Sequence, residues 1–195
     1  MHKLFTLNCS KTVHQNHELC RMDEPILNQL KNIRTFIFDI DGVLTPGSVL
    51  VTEEGHMLRS VNIKDGYALQ HAVKQGYNIG IISGGNSLGM LNRFRGLGIE
   101  QIYLGQNNKI AAFKEVCRVF NVQPYLVAYV GDDMPDYPIL QQVGLSCCPA
   151  DAASDIKEIC HYISPVAGGQ GCARHLLETA MKLHNTWWNE DSHNW

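Results

Sequence analysis

Short apolar segments recur along the chain, and each is followed by a segment with helical character. The apolar segments are rich in β-branched and aromatic residues, which is typical of buried strands. Strands are predicted at 35–40, 77–82, 101–104, 126–130, 144–147 and 161–164, and helices at 65–74, 87–95, 108–120, 135–143, 152–160 and 172–184. Parallel strands need crossover connections, so this alternation predicts a parallel sheet with helices on both faces. The expected fold is therefore α/β, a three-layer Rossmann-like sandwich.

A β-hairpin is predicted between the first strand and the first of these helices. The segments Ser48 to Thr52 and Met57 to Asn62 have strand character and flank the polar residues 53–56 (EEGH). A short polar turn between two such segments favours a hairpin that projects from the domain.

The length and composition suit one compact domain with short extensions. Of 195 residues, 45% are hydrophobic, which is enough to bury an ordinary core. We assign residues 33–186 to the domain, 1–32 to an N-terminal extension and 187–195 to a C-terminal tail. The extension is polar and aperiodic, which favours a flexible leader, and the aromatic tail is expected to dock on a neighbour or to fray.

The charge pattern disfavours several classes of partner. The net charge is -3, from 16 basic and 19 acidic residues, and no run of Lys or Arg is present. Nucleic acids and anionic membranes bind basic surfaces, so neither is an expected partner, and a small soluble substrate is favoured. No apolar run approaches the ~18 residues of a membrane span, and the first 21 residues lack the apolar core of a signal peptide. A cytoplasmic location is therefore expected.

The cysteines predict reduced thiols rather than a disulfide framework. There are seven, an odd number, and none stands in a C-x-x-C arrangement. On residue type alone a small zinc site in the extension is an alternative to the flexible leader. The four residues concerned are Cys9, His14, His17 and Cys20.

Asp39 and Asp41 stand two residues apart at the end of the first predicted strand. The side-chain period of a strand is two, so both carboxylates point to the same face and repel each other. A Mg2+ ion in a phosphoryl-transfer site would relieve this repulsion. A lone D-x-D could instead be a pair of loop aspartates that cap the next element.

The segment FDIDGVLT resembles the first motif of the haloacid dehalogenase superfamily, D-x-D-G-[VT]-[LV]-T, from Asp39 to Thr45. The resemblance implies that Asp39 is the nucleophile that attacks phosphorus. It also implies that Asp41 protonates the leaving oxygen and later deprotonates the attacking water. Asp39, Asp132 and the backbone carbonyl of Asp41 would hold Mg2+.

Two phosphate-binding motifs of the same superfamily follow at later strand ends. Ser83-Gly84 matches the Ser/Thr motif whose hydroxyl and following amide hold the phosphoryl oxygens. Lys109 begins a predicted helix and matches the lysine that offsets charge on the transferring group. Taken singly, the first would be an ordinary turn and the second a solvated lysine.

The last motif is GDDMPD, which matches G-D-D-x-x-D at 131–136. By resemblance Asp132 is a metal ligand, while Asp133 and Asp136 orient waters and other ligands. Helix capping is the alternative role for these aspartates. A receiver-type phosphoacceptor domain lacks both this motif and the second aspartate of D-x-D, so four motifs in order indicate a phosphatase.

No cap domain is expected, because the segments between the motifs are short. From about Arg34 to Leu183 the chain resembles the capless phosphatases of 3-deoxy-D-manno-octulosonate 8-phosphate, through the stretches VNIKDGYAL, YLGQNNK, AYVGDDMPD and GGQGCAR. The resemblance implies a role in lipopolysaccharide biosynthesis and a homotetramer that the hairpins help to build. It also implies a glycine-rich segment that closes a neighbour's active site.

Five residues are carried over from this resemblance as substrate or lid residues. Lys64 would meet the carboxylate of the sugar acid, and the glycines with Arg174 would form the trans-acting lid. The alternatives are a solvated lysine, a flexible connector and a surface arginine. The set is Lys64, Gly168, Gly169, Gly171 and Arg174.

Gly85 departs from the resemblance, because the second motif commonly reads T-G-R and here reads S-G-G. The change removes a guanidinium fork that binds anions, and Arg93 or Arg95 is expected to replace it. A phosphatase of a nine-carbon, sialic-acid-type sugar 9-phosphate is therefore the alternative function. The alternative from another class is a non-catalytic assembly subunit or phosphoacceptor module.

Overall fold

A computed structural model describes residues 22–193 of the chain. Its centre is a parallel sheet of six strands, β1 (Thr35–Phe38), β4 (Asn78–Ile82), β5 (Gln101–Tyr103), β6 (Val127–Val130), β7 (Leu145–Cys148) and β8 (Tyr162–Ile163). Their order in the sheet is β5-β4-β1-β6-β7-β8. All six predicted strands are present, each within about two residues of its expected bounds.

Helices cover both faces of the sheet. They are α1 (Glu24–Leu30), α2 (Ile63–Lys74), α3 (Leu88–Gly96), α4 (Lys109–Val119), α5 (Tyr137–Leu140), α6 (Ser154–Ile159) and α7 (Cys172–Leu183), with 3-10 turns at Pro124–Leu126, Met134–Asp136 and Glu190–His193. The predicted α/β sandwich is thus confirmed. The segment predicted as one helix at 135–143 is instead a 3-10 turn followed by the short α5, and each of the two has a proline in its first turn.

The first strand shows why the layers form. Phe36 and Phe38 pack in the core on one face of the sheet, whereas Ile37 packs in the core on the other. All four residues of β1 are buried, as expected of a central parallel strand covered on both sides. This strand lies between β4 and β6, so its carboxyl end is at the middle of one edge of the sheet.

The predicted hairpin is present between β1 and α2. Its strands β2 (Leu50–Val51) and β3 (Met57–Leu58) pair antiparallel and form a separate two-stranded sheet. Their four side chains are 51–67% exposed. The hairpin therefore presents an apolar surface that the described residues leave uncovered. Within residues 22–193 no cap domain is inserted between these elements.

The ends of the described chain pack on the domain. Leu30 of α1 and the following Ile33 are buried in the core. At the other end Trp187 is buried against Tyr67 and His71 of α2, so this part of the tail docks on the domain of its own chain. The possible zinc ligands at positions 9–20 lie outside the described residues. Among the helices of residues 22–193, none has the length and apolar character needed to cross a membrane.

Candidate active site

Asp39 is held at the carboxyl end of β1 by hydrogen bonds to its backbone and to both carboxylate oxygens. Its N–H donates to the Val130 carbonyl at 3.0 Å, which continues the pairing of β1 with β6. Its Oδ1 accepts from the Ile40 N–H at 2.7 Å, and its Oδ2 lies 2.9 Å from Lys109 Nζ. The residue is 5% exposed. One carboxylate is thus fixed at the carboxyl end of β1, where the sequence predicted it.

Lys109 bridges two buried carboxylates. Its Nζ lies 2.9 Å from Asp39 Oδ2 and 2.7 Å from Asp136 Oδ1, and the Tyr129 hydroxyl also donates to Asp136. Asn108 accepts from the Ile110 N–H and so caps the helix that begins with Lys109. The cap and the helix start direct the lysine into the cleft.

Burial and crowding shift the pKa values of this network. Burial, and then the negative charge of Asp136, raises the pKa of Asp39 to about 7. The same two causes raise the pKa of Asp132 to about 7. Burial alone would lower the pKa of Lys109, but the charges of Asp136 and Asp39 outweigh it and raise the pKa. Three carboxylates thus share one ammonium group, so the site has an excess of negative charge.

This acidic cluster fits a divalent cation. Asp39, Asp132 and Asp136 each place a carboxylate oxygen within 4.8 Å of the others. Hard oxygen ligands and excess negative charge are what Mg2+ requires. The sequence analysis predicted that Asp136 orients waters and other ligands. In the structure its carboxylate is instead one of the three in the cluster. Asp133 is exposed and caps the 3-10 turn by accepting from the Met134 N–H.

The loop after β1 allows the close approach of Asp132. Gly42 has a φ of +85°, and a Cβ there would lie 1.9 Å from Asp132 Oδ2. A side chain at position 42 would therefore push a carboxylate out of the cluster, and the backbone angle would also be strained. This is the physical reason for the glycine in the first motif.

The predicted phosphate-binding residues line the same cleft. The cavity has a volume of about 480 Å³, and its walls include Asp39, Ser83, Gly84, Lys109 and Asp132. The Ser83 side chain is buried, and its Oγ accepts from the Gly85 N–H at 3.1 Å. The structure thus brings all four motifs together at one edge of the sheet, while their individual roles stay predictions.

Arg59 is the site residue that the sequence analysis missed. Its Nε lies 2.6 Å from Asp41 Oδ1, and its Nη2 lies 3.0 Å from Asp41 Oδ2. It follows β3 directly, so the hairpin carries it into the cleft. The signals that could have indicated it were the absence of a side chain at Gly85 and a basic residue at the hairpin's end.

A second and larger cavity adjoins the first. It has a volume of about 740 Å³, lies between the hairpin and α3, and shares Gly85 with the first cavity. Arg59 and Arg93 line it, whereas Arg95 is exposed on α3 and is absent from the lining. Of the two arginines expected to compensate for Gly85, only Arg93 is therefore near the site.

The substrate and lid residues carried over from the resemblance are absent from the lining of the first cavity. Lys64 is exposed. Gly169 donates its N–H to the Val43 carbonyl at 2.8 Å, and a Cβ at Gly168 would lie 1.8 Å from the Gly42 carbonyl. The glycine-rich segment thus packs on the loop after β1 of its own chain. The trans-acting lid involves a second chain and stays a prediction.

Arg174 is occupied within its own domain. Its guanidinium pairs with Glu178 and lies 4.4 Å from the centre of the Trp187 ring. Its backbone N–H donates to Asp65 Oδ1 at 2.6 Å, and Gly171, at the end of the same segment, has a φ of +112°. These contacts fix the start of α7 rather than a substrate group.

A buried aspartate, a lysine, a serine and an acidic cluster at the carboxyl edge of a capless parallel sheet define a phosphohydrolase of the haloacid dehalogenase type. The family model "haloacid dehalogenase-like hydrolase" matches residues 101–176. The 3-deoxy-D-manno-octulosonate 8-phosphate phosphatase of Yersinia pestis is 34% identical over 158 residues, which cover 81% of this chain and 84% of the relative. The chain therefore belongs to the haloacid dehalogenase-like hydrolases, in the family of the 3-deoxy-D-manno-octulosonate 8-phosphate phosphatases.

Other relatives and solved structures agree. The phosphatase of the same name from Escherichia coli K12 is 35% identical over 156 residues, covering 80% of this chain and 83% of the relative. The structure of the Moraxella catarrhalis phosphatase is 28% identical, with a TM-score of 0.80 over 84% of this chain and 94% of that chain. That structure is a complex with a magnesium ion, a phosphate ion and a KDO molecule.

Proposed function

We propose that this protein is a Mg2+-dependent phosphatase that hydrolyses 3-deoxy-D-manno-octulosonate 8-phosphate in lipopolysaccharide biosynthesis. The observation that carries the proposal is the buried Asp39, fixed by Lys109 and the Ile40 N–H beside the acidic cluster. The names of the relatives support the choice of substrate.

In the first step a carboxylate oxygen of Asp39 forms a bond to phosphorus, and the bond from phosphorus to the ester oxygen breaks. The leaving oxygen takes a proton from Asp41 and departs as the hydroxyl of the sugar acid. Ser83, the amide that follows it and Lys109 hold the phosphoryl oxygens, so that the ester oxygen leaves in line with the attacking Asp39 oxygen. The Asp39 side chain loses little freedom in this step, because hydrogen bonds already fix it.

In the second step a water molecule gives a proton to Asp41 and attacks phosphorus. The bond between phosphorus and Asp39 breaks, which releases inorganic phosphate and restores the carboxylate. Asp39, Asp132 and the carbonyl of Asp41, with Asp136 beside them, would hold Mg2+, which supplies positive charge to the phosphoryl oxygens. Lys109 contributes the protein's own positive charge at the same place.

The nine-carbon sugar acid 9-phosphate is the alternative substrate. The absence of a side chain at Gly85 favours it, since a change in the second motif alters the wall shared by the two cavities. A non-catalytic assembly subunit or phosphoacceptor module is disfavoured. A buried network of Asp39, Lys109 and Asp136 is costly to keep without a function.

We also propose a homotetramer in the cytoplasm. The exposed apolar side chains of Leu50, Val51, Met57 and Leu58 support an association through the hairpins. Five cysteines are free among residues 22–193, which fits a reducing compartment.

The experiment that tests the proposed function is a phosphate-release assay with Mg2+ present and then chelated. The eight-carbon 8-phosphate and the nine-carbon 9-phosphate would be compared at equal concentration. We expect turnover that needs Mg2+ and a preference for the eight-carbon ester. A preference for the nine-carbon ester would establish the alternative substrate, and inactivity on both would contradict the proposed function.

A further inference from the structure

We infer that Arg59 is a positioning residue for Asp41, and that Gly85 lacks a side chain so that this pair can form. The inference rests on the proposed function, in which Asp41 transfers protons to and from the reacting oxygens. It adds a residue from the hairpin to the catalytic site and gives position 85 a physical role.

The Arg59–Asp41 pair has the geometry of a fork. Nε and Nη2 of the guanidinium face Oδ1 and Oδ2 of the carboxylate at 2.6 and 3.0 Å, so the two planar groups are held together at two points. The Arg59 side chain is 9% exposed, and its Nη1 also donates to the Met57 carbonyl at 3.4 Å. An ion pair held at one point on the surface is loose, but this one is bidentate and its guanidinium is largely covered.

Asp41 depends on this fork for its orientation. Its side chain is 36% exposed, and its other side-chain contact among the described residues is with the Thr45 hydroxyl at 3.5 Å, the outer limit for a hydrogen bond. Asp39, in contrast, is held by the sheet and by Lys109. Without Arg59, the Asp41 carboxylate would be free to rotate away from the ester oxygen.

Gly85 provides the space for the pair. A Cβ at this position would lie 2.9 Å from Asp41 Oδ2, 3.1 Å from Arg59 Nη2 and 3.5 Å from Ser83 Oγ. The first distance is shorter than real Cβ contacts and the second is tight, so the Asp41 carboxylate would have to shift and Arg59 Nη2 would have to give by a few tenths of an ångström. The backbone would not, because the nearest atoms all belong to side chains. A single methyl group at position 85 thus displaces the pair and leaves both charges in place.

The test uses Arg59→Ala and Gly85→Ala, with kcat and KM measured on the eight-carbon sugar 8-phosphate. Loss of a positioned acid–base group slows the chemical step but not substrate binding. We expect kcat to fall by about tenfold or more in both variants, with KM changed by less than about threefold. Arg59→Lys keeps the charge but not the fork, and we expect it to recover part of the rate.

A second readout uses phenyl phosphate and p-nitrophenyl phosphate, which differ in the leaving group. Unlike the sugar acid phosphate, neither ester carries a carboxylate. p-Nitrophenolate leaves without a proton, so a misplaced acid matters little for this ester. We expect kcat/KM to fall more for phenyl phosphate than for p-nitrophenyl phosphate in both variants. Arg118→Ala removes an exposed guanidinium that pairs with Glu115 on α4, and this control should change none of these values.

Three results would overturn the inference. One is a rise in KM with an unchanged kcat, which would make Arg59 an anion-binding residue. Another is an unchanged kcat in Gly85→Ala, and the third is an equal loss on both aryl esters. Wild-type protein that is inactive on the sugar phosphates would instead overturn the proposed function, and the inference with it.

Discussion

The inner and outer halves of the cleft each pair an aspartate with a basic residue, but different parts of the chain hold them. In the inner half, Asp39 and Asp136 flank Lys109, and all three are nearly buried. In the outer half, Asp41 is more than a third exposed and pairs with Arg59 at the base of the hairpin. The inner half rests on strand ends of the sheet, whereas the outer half depends on an element with an exposed apolar surface.

Because of this difference, we expect substitutions in the two halves to affect the stability of the fold differently. A broken charge pair in a buried network leaves an unpaired charge in a poorly solvated place, which destabilises the fold. A broken pair at the partly exposed rim leaves groups that water can reach. Loss of the cation or of a hydrogen-bond donor from the inner half should therefore lower both stability and activity, whereas substitutions in the outer half should lower activity alone.

The largest effect is expected for Asp39→Asn. The amide cannot act as the nucleophile, so phosphate release should fall by about a thousandfold or more. The fold should persist, because the amide keeps the shape of the side chain and relieves the repulsion from Asp136. Phosphate release and thermal unfolding would be measured beside Asp155→Asn, an exposed control on α6. Appreciable residual turnover would contradict the role of Asp39.

Lys109→Met should lower both activity and stability. The change leaves Asp39 and Asp136 buried without their shared cation, so the free energy of unfolding should fall by about 3 kcal/mol. Lys114→Met on the exposed face of the same helix is the matched control. Denaturant unfolding of both variants checks the prediction, and equal stability of the two would show that the inner network does not contribute.

Tyr129→Phe tests the inner half with a smaller change. It removes the hydroxyl that donates to Asp136 and leaves every charge in place. We expect a loss of about 1 to 2 kcal/mol in stability and a fall of a few-fold in kcat, since Lys109 still pairs with Asp136. Denaturant unfolding and phosphate release would be measured on the same preparation. Unchanged stability would mean that the hydroxyl is not needed to hold Asp136.

The smallest effect is expected in the pH dependence of stability at Asp65. Burial raises the pKa of this carboxyl to about 6 from the ordinary 3.8, although the Arg174 and Gly171 N–H groups oppose the shift. The folded state then binds a proton that the unfolded state does not bind between about pH 4 and 6. The contribution of Asp65 to wild-type stability should fall as the pH rises through this window, and Asp65→Asn should remove that part of the slope.

Chemical denaturation at several pH values from 4 to 7 would measure this difference between wild type and Asp65→Asn. Asp155→Asn is again the control, because it lies away from the start of α7. Parallel curves of stability against pH for wild type and Asp65→Asn would contradict the raised pKa of Asp65.

The sheet and the inner half of the cleft were predictable because their signals are local. Asp39 and Ser83 follow their strands directly, Asp132 follows β6 after one residue, and Lys109 begins the helix after β5. Parallel strands bring their carboxyl ends to one edge of the sheet. The order of Asp39, Ser83, Lys109 and Asp132 along the chain therefore predicts their proximity. The structure confirms the fold and the family, and it places these four residues in one cavity.

The outer half was not predictable, because its contacts depend on how separate elements pack. Arg59 reaches Asp41 only through the orientation of the hairpin, which no local pattern encodes. The contact of Asp65 with the Arg174 N–H joins residues 109 positions apart. The same is true of Gly168, whose packing on the Gly42 carbonyl depends on where the chain returns after β8. Sequence reasoning therefore proposed Arg93 and Arg95 and missed Arg59.

The most direct test of the covalent mechanism is to trap the intermediate. Enzyme and 32P-labelled substrate would be mixed with Mg2+, quenched in acid within the first turnover, treated with borohydride and digested for mass spectrometry. Borohydride reduces an aspartyl phosphate to homoserine. We predict label on the protein before reduction and homoserine at position 39 afterwards, with neither in Asp39→Asn. Phosphate release with no labelled protein, or a modified residue elsewhere, would contradict a covalent intermediate on Asp39.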